Sequence, residues 1–185
     1  MSSKQKRLDV LNNEVVNCQL CRLEGSRIKT VFGEGNVDAK VMFVGEAPGQ
    51  SEDETGRPFV GRAGKLLDNM IASMGMKRED VYIANICKCR PPGNRKPYQD
   101  EMENCKPYLL DQIRVVNPKV IVALGNSALG SLTGIEGGIT TRCGNWEERA
   151  YWKIMPCYHP SALLRNPNWK APAWKALQEV VKEIT

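Results

Sequence analysis

The sequence contains a single histidine among 185 residues, no apolar run of bilayer-spanning length, and no internal repeat or low-complexity tract. A transmembrane helix needs about 20 mostly apolar residues, so none is expected here. The opening Met1-Ser2-Ser3-Lys4-Gln5-Lys6-Arg7 carries basic residues with no apolar segment behind them. That pattern is not a secretory leader, and a cytoplasmic protein without membrane contact is the expectation. Strong charge of one sign is also missing, since the net charge is +5. So small an excess permits a polyanionic partner but identifies none. With no linker along it, the chain reads as one domain spanning residues 1–185.

What is present is an alternation of strand-like and helix-like segments. Lys40–Gly45, Asp80–Ile86, Val120–Gly125 and Trp152–Tyr158 are short apolar runs that read as strands, with Pro156 placing the last at an edge or a strand end. Gly64–Met76 carries apolar residues at helical spacing. Pro97–Val116 and Pro172–Thr185 also read as helices, and Asn126-Ser127-Ala128 as a helix start. Strands alternating with helices predict an α/β fold, a mainly parallel sheet covered on both faces. Ligands collect at the carboxyl ends of such strands, which selects the loops after Val44, Ala84 and Tyr158.

Seven cysteines are many for a reducing compartment, and an odd number fits a disulfide framework poorly. Cys18-Gln19-Leu20-Cys21 is a chelating pair upstream of every strand, which argues against a thioredoxin-like redox pair. Cys89 and Cys105 flank a turn-rich segment and complete a four-thiolate set suited to zinc or to an iron–sulfur cluster. The second half lacks a tight knuckle, which leans toward the cluster. Cys87 stands two residues from Cys89 and remains an alternative ligand, whereas Cys143 and Cys157 read as ordinary thiols.

The first strand runs into Gly45-Glu46-Ala47-Pro48-Gly49-Gln50-Ser51-Glu52-Asp53 and then Gly56-Arg57-Pro58-Phe59-Val60-Gly61-Arg62. Glycines expose amide donors and let backbone approach a ligand closely. Carboxylates, amides and one aromatic ring together suit a flat polar heterocycle better than a phosphate. His159 stands in Tyr158-His159-Pro160-Ser161-Ala162-Leu163-Leu164-Arg165, directly after a strand. That position favours function over structure.

These segments resemble the family 4 uracil-DNA glycosylases, the iron–sulfur branch of that superfamily. The matching pieces are Cys18-x-x-Cys21, Gly45-Glu46-Ala47-Pro48-Gly49, Gly56–Gly61, Asn85 with Lys88-Cys89-Arg90-Pro91-Pro92, Asn94-Arg95, Cys105 and His159-Pro160-Ser161, in the family's order. The resemblance implies a three-layer α/β/α fold with a four-stranded mainly parallel sheet. It also implies a 4Fe-4S cluster on Cys18, Cys21, Cys89 and Cys105, with Cys89 preferred to Cys87.

The implied activity is removal of uracil from DNA, single- or double-stranded, by a monomer. Phe59 would stack on the extruded base, Asn85 would read its edge, and the backbone of Glu46 and Ala47 would help hold O2. His159 would donate to O2 as the base departs. The superfamily's best-known branch has an aspartate where Ala47 stands, so Glu52 is the first choice to assist the water, ahead of Glu46 or Asp53. Arg57, Arg62, Lys88, Arg95, Lys96 and Arg165 are candidates for phosphate contacts, and Leu163, ahead of Leu164, for the wedge that enters the stack.

Other readings are a relative that traps uracil-containing DNA, tightly or covalently, a non-catalytic four-cysteine module, and a glycosylase of wider range. Trapping relatives carry a histidine-bearing insertion before the last motif, and Thr140–Asn145 contains no histidine.

Overall fold

A computed structural model describes residues 2–149 and 151–185 of the chain. The strands are β1 (Glu34–Gly35), β2 (Val41–Gly45), β3 (Tyr82–Asn85), β4 (Val120–Leu124), β5 (Glu147–Arg149) and β6 (Trp152–Cys157). The α-helices are α1 (Ser3–Val16), α2 (Gln50–Thr55), α3 (Arg62–Ser73), α4 (Gln99–Val116), α5 (Gly125–Thr133), α6 (Ile139–Arg142), α7 (Pro160–Arg165) and α8 (Lys170–Ile184). All belong to one sheet and the helices around it.

The sheet has six strands in the order β1-β3-β2-β4-β6-β5. Its central four are parallel, and the two short edges run antiparallel. The expected four-stranded sheet is therefore corrected to six. β1 has two residues and β5 reads Glu-Glu-Arg, so neither carries an apolar pattern. Every residue of β2, β3 and β4 is buried, which requires cover on both faces and makes the domain three-layered. Pro156 pairs with Ala123 of β4, while β5 reaches only as far as Ile154. It thus sits where β6 has outrun its outer neighbour and needs no amide proton on that side.

Helix faces follow apolar spacing. In α3, Leu67, Met70 and Ile71 are buried, and in α8 Ala173, Ala176, Leu177, Val180 and Ile184. α1 is mostly polar and was not foreseen, yet Leu8, Leu11 and Val15 make one buried stripe, and Ser2 caps it by accepting from Gln5 N–H at 3.1 Å. It packs on α4, while α8 lies over β6 and β4. Among the described residues, no helix is long and apolar enough to cross a membrane.

Candidate active site and cysteine enclosure

β2 and β3 end side by side, with Gly45 in register with Asn85. β4 and β6 end together at Leu124 and Cys157. The parallel strands thus deliver Glu46, Asn85 and His159 to one edge of the sheet. Gly45 forms the floor. A Cβ there would collide with Asn85 Oδ1 and stand 2.5 Å from Phe59 Cζ, so the amide and the ring edge both lie over its Cα. The Phe59 and His159 rings are 5.6 Å apart at 34°. Aromatic ring, amide and imidazole, drawn from three distant segments, share one place.

Asn85 is buried, and its Oδ1 has no hydrogen-bond partner among the described residues. Leaving such a group unpaired costs about 1–3 kcal/mol, so an oxygen left open here marks a position for a donor from outside. The Asn85 carbonyl is held from below by Lys88 Nζ at 2.8 Å.

His159 follows Tyr158, whose ring stacks on Trp169 at 4.7 Å and 8°. Its Nδ1 accepts from Ser161 N–H at 3.1 Å, with Ser161 Oγ at 2.7 Å. Burial, reinforced by the charge of Arg165 and opposed by Glu52, pushes the imidazole down to about 4. The ring is neutral at neutral pH.

The acidic residues hold the loop together. Glu52 accepts from Gly49 N–H at 3.1 Å through one oxygen, and from Val60 and Gly61 N–H at 2.9 and 3.0 Å through the other. A carboxylate so occupied is a clamp, which counts against its expected role with water. Asp53 is buried and accepts from Ile28 and Lys29 N–H at 2.9 and 3.3 Å. Glu46 is half-buried and accepts from the Ser127 hydroxyl at the start of α5. Ala47 is half-buried against the core.

The basic candidates divide. Arg57 is paired with Glu34 at 2.9 and 2.8 Å. Arg95 makes a two-pronged pair with the buried carboxylate of Glu101 at 2.8 and 2.7 Å, so it is part of the fold and not a free phosphate ligand. Lys88 is fully buried, donating to Gln112 Oε1 at 2.5 Å, and cannot reach DNA. Arg62, Lys96 and Arg165 are exposed and, among the described residues, hold no ion pair. The two leucines expected as wedge candidates also divide. Leu163 is 1% exposed and belongs to the core, whereas Leu164 is 38% exposed.

Beyond the end of β3, Cys18, Cys21, Cys87, Cys89 and Cys105 line one narrow pocket, partly open to solvent. Arg27 donates to Cys89 Sγ at 3.3 Å and to the Cys18 carbonyl at 3.1 Å, and Lys88 N–H donates to Cys105 Sγ at 3.2 Å. Cys87 is packed in the apolar core, which Cys89 does not join. No three metal-binding side chains among the described residues are gathered closely enough to hold a single ion. Burial raises the thiols of Cys21, Cys89 and Cys105, so a metal would have to displace their protons.

A family model described as the Uracil DNA glycosylase superfamily matches residues 32–179. The chain belongs to that superfamily. It is 46% identical to the type-4 uracil-DNA glycosylase of Thermotoga maritima, covering 90% of this chain and 88% of the relative. The type-4 enzyme of Sulfurisphaera tokodaii is 43% identical over 96% and 83% of the two chains. The type-5 enzyme of Pyrobaculum aerophilum is 33% identical over 80% and 72%. Higher identity to type-4 members of the superfamily bears out the resemblance read from the motifs.

Sequence reasoning passed over Ser127 and Arg27, which lie far from their partners in the chain. It also gave no role to Ser161. That residue was within reach, because a serine two positions after a histidine at a helix start can turn back onto the ring.

Proposed function

We propose that the chain is a DNA-repair hydrolase that breaks the N-glycosidic bond of uracil in DNA and leaves an abasic site. The observation that carries this reading is the unpaired, buried Oδ1 of Asn85 beside Phe59, within reach of a neutral imidazole. A base inside a duplex must leave the stack to reach such a place. Uracil would lie on Phe59, giving its N3–H to Asn85 Oδ1 and taking the Asn85 amide N–H at O4. Cytosine has no proton on N3 and carries an amino group in place of O4, so both contacts would fail.

As the C1′–N1 bond breaks, the electron pair leaves with the base and charge gathers on O2. A His159 Nε2–H aimed there would stabilise that charge without transferring its proton, by on the order of 3–4 kcal/mol for a well-placed donor. Water adds to C1′ and loses its proton to solvent. With Glu52 occupied by amides, Glu46 is the better carboxylate to face the developing sugar cation. Leu164 would enter the stack, with Arg165 and Arg62 on phosphates.

Cys18, Cys21, Cys89 and Cys105 would hold a 4Fe-4S cluster. A lone tetrahedral ion needs sulfurs only about 3.8 Å apart. Thiols that line one pocket without gathering closely enough for a single ion, with N–H groups directed at two of them, suit a cluster better. When bound, it would tie the end of α1, the loop after β3 and α4 together. We read the chain as one domain, a monomer acting in the cytoplasm.

The deciding experiment is excision from oligonucleotides carrying uracil, cytosine, hypoxanthine or a thymine mismatch, scored by cleavage at abasic sites. Turnover on uracil and none on cytosine is expected. A stable protein–DNA adduct without turnover would mean a trapping protein instead.

A further inference from the structure

Phe59 has a φ of +50°, a left-handed conformation that a bulky side chain adopts only when its surroundings impose it. Glu52 grips the two amides that follow it, but a second group holds the other side. Arg78 Nη1 donates to the Phe59 carbonyl at 3.1 Å, and Nη2 donates to the Pro58 carbonyl. Its remaining N–H groups go to Glu34, from Nε at 3.0 Å and Nη2 at 2.9 Å, and to Asp68, from Nη1 at 2.8 Å. All five donors of the guanidinium are therefore engaged, two on the backbone around Phe59 and three on carboxylates. Burial alone would raise Glu34, yet the hydrogen bonds from Arg57 and Arg78 hold it below the usual carboxylate range. Behind the same peptide, a Cβ on Gly64 would overlap the Phe59 carbonyl, so α3 packs directly on it.

We propose that Arg78 is a positioning residue for base recognition: it locks the Pro58 and Phe59 carbonyls and so keeps the Phe59 ring over Gly45, ready to receive uracil. It touches no substrate and acts through Phe59. The inference rests on the reading of Phe59 as the stacking face. Lysine cannot replace it, because one ammonium with three donors cannot bridge two carbonyls and two carboxylates.

The test is a double-substitution cycle with the cluster-loaded protein on a single-stranded uracil oligonucleotide, comparing F59A, R78M, R78K and the R78M/F59A pair. R78M is expected to raise KM about tenfold with a smaller change in kcat, a coupling typical of residues in one contact network. R78K should not restore KM, and R78M should add almost nothing once Phe59 is gone. If R78M does not fold, Glu34→Gln in both backgrounds takes its place, with the same pattern expected. An equal rise in KM in both backgrounds, or none with Phe59 present, overturns the role of Arg78 alone. An unchanged KM in F59A overturns the stacking role of Phe59, and this inference with it.

Discussion

The backbone N–H of Ser161 points at Nδ1 of His159, 3.1 Å away. A ring nitrogen that accepts from an amide carries no proton. The single proton of the neutral imidazole therefore sits on Nε2, where it is available to a ligand. Burial, reinforced by the nearby charge of Arg165, resists a second proton on the ring.

Because His159 is the only histidine, its imidazole gives one unambiguous NMR signal. The expected result is the Nε2–H tautomer, unprotonated until the pH approaches about 4. An unfolded chain takes up this proton near pH 6.5. Between those values the unfolded state binds more protons, so stability falls as pH drops from 6.5 toward 4 and is unaffected above. The slope of stability against pH, from urea unfolding, should therefore be steeper for wild type than for H159Q between those values and alike above them, and an imidazole titrating near 6.5 would sink the assignment.

Leu163 and Leu164 should separate cleanly. Leu163→Ala removes a core side chain and is expected to lower stability by about 2–5 kcal/mol. Leu164→Ala should leave the melting temperature unchanged while slowing excision from duplex more than from single strands. The reverse pattern would return the wedge to Leu163.

Glu52→Gln tests clamp against base. Replacing a charged acceptor of three amides should cost about 1.5–3 kcal/mol of stability. KM should rise with it, and the pH dependence of kcat should keep its shape. A large fall in kcat at constant KM and stability would restore a direct role with water.

Serine at Cys18, Cys21, Cys89 or Cys105 should each abolish the visible absorbance and iron content of the purified protein. Cys87→Ser should retain both, since Cys87 packs in the core. Loss of iron in Cys87→Ser with retention in Cys89→Ser would exchange the two.

The central strands were legible because a strand buried on both faces must be apolar throughout, as Val41–Gly45 and Val120–Leu124 are. The loops at their carboxyl ends, and the motifs in them, followed from the chain order alone. The edge strands were not, since a two-residue β1 and a charged β5 draw their stability from a neighbour and show no pattern of their own.

Among side chains, the linear order supplied the residue types of the site: one histidine, one asparagine at a strand end, one phenylalanine among glycines. Occupancy was decided only in three dimensions. Arg95 is taken by Glu101, Arg57 by Glu34 and Glu52 by three amides, while Arg165 stays open. Two adjacent leucines of α7 are chemically identical, and only the turn of the helix against the core sends Leu163 inward and Leu164 out. Chemistry is local to a residue, but whether its donors and acceptors are free depends on partners the chain brings in from elsewhere.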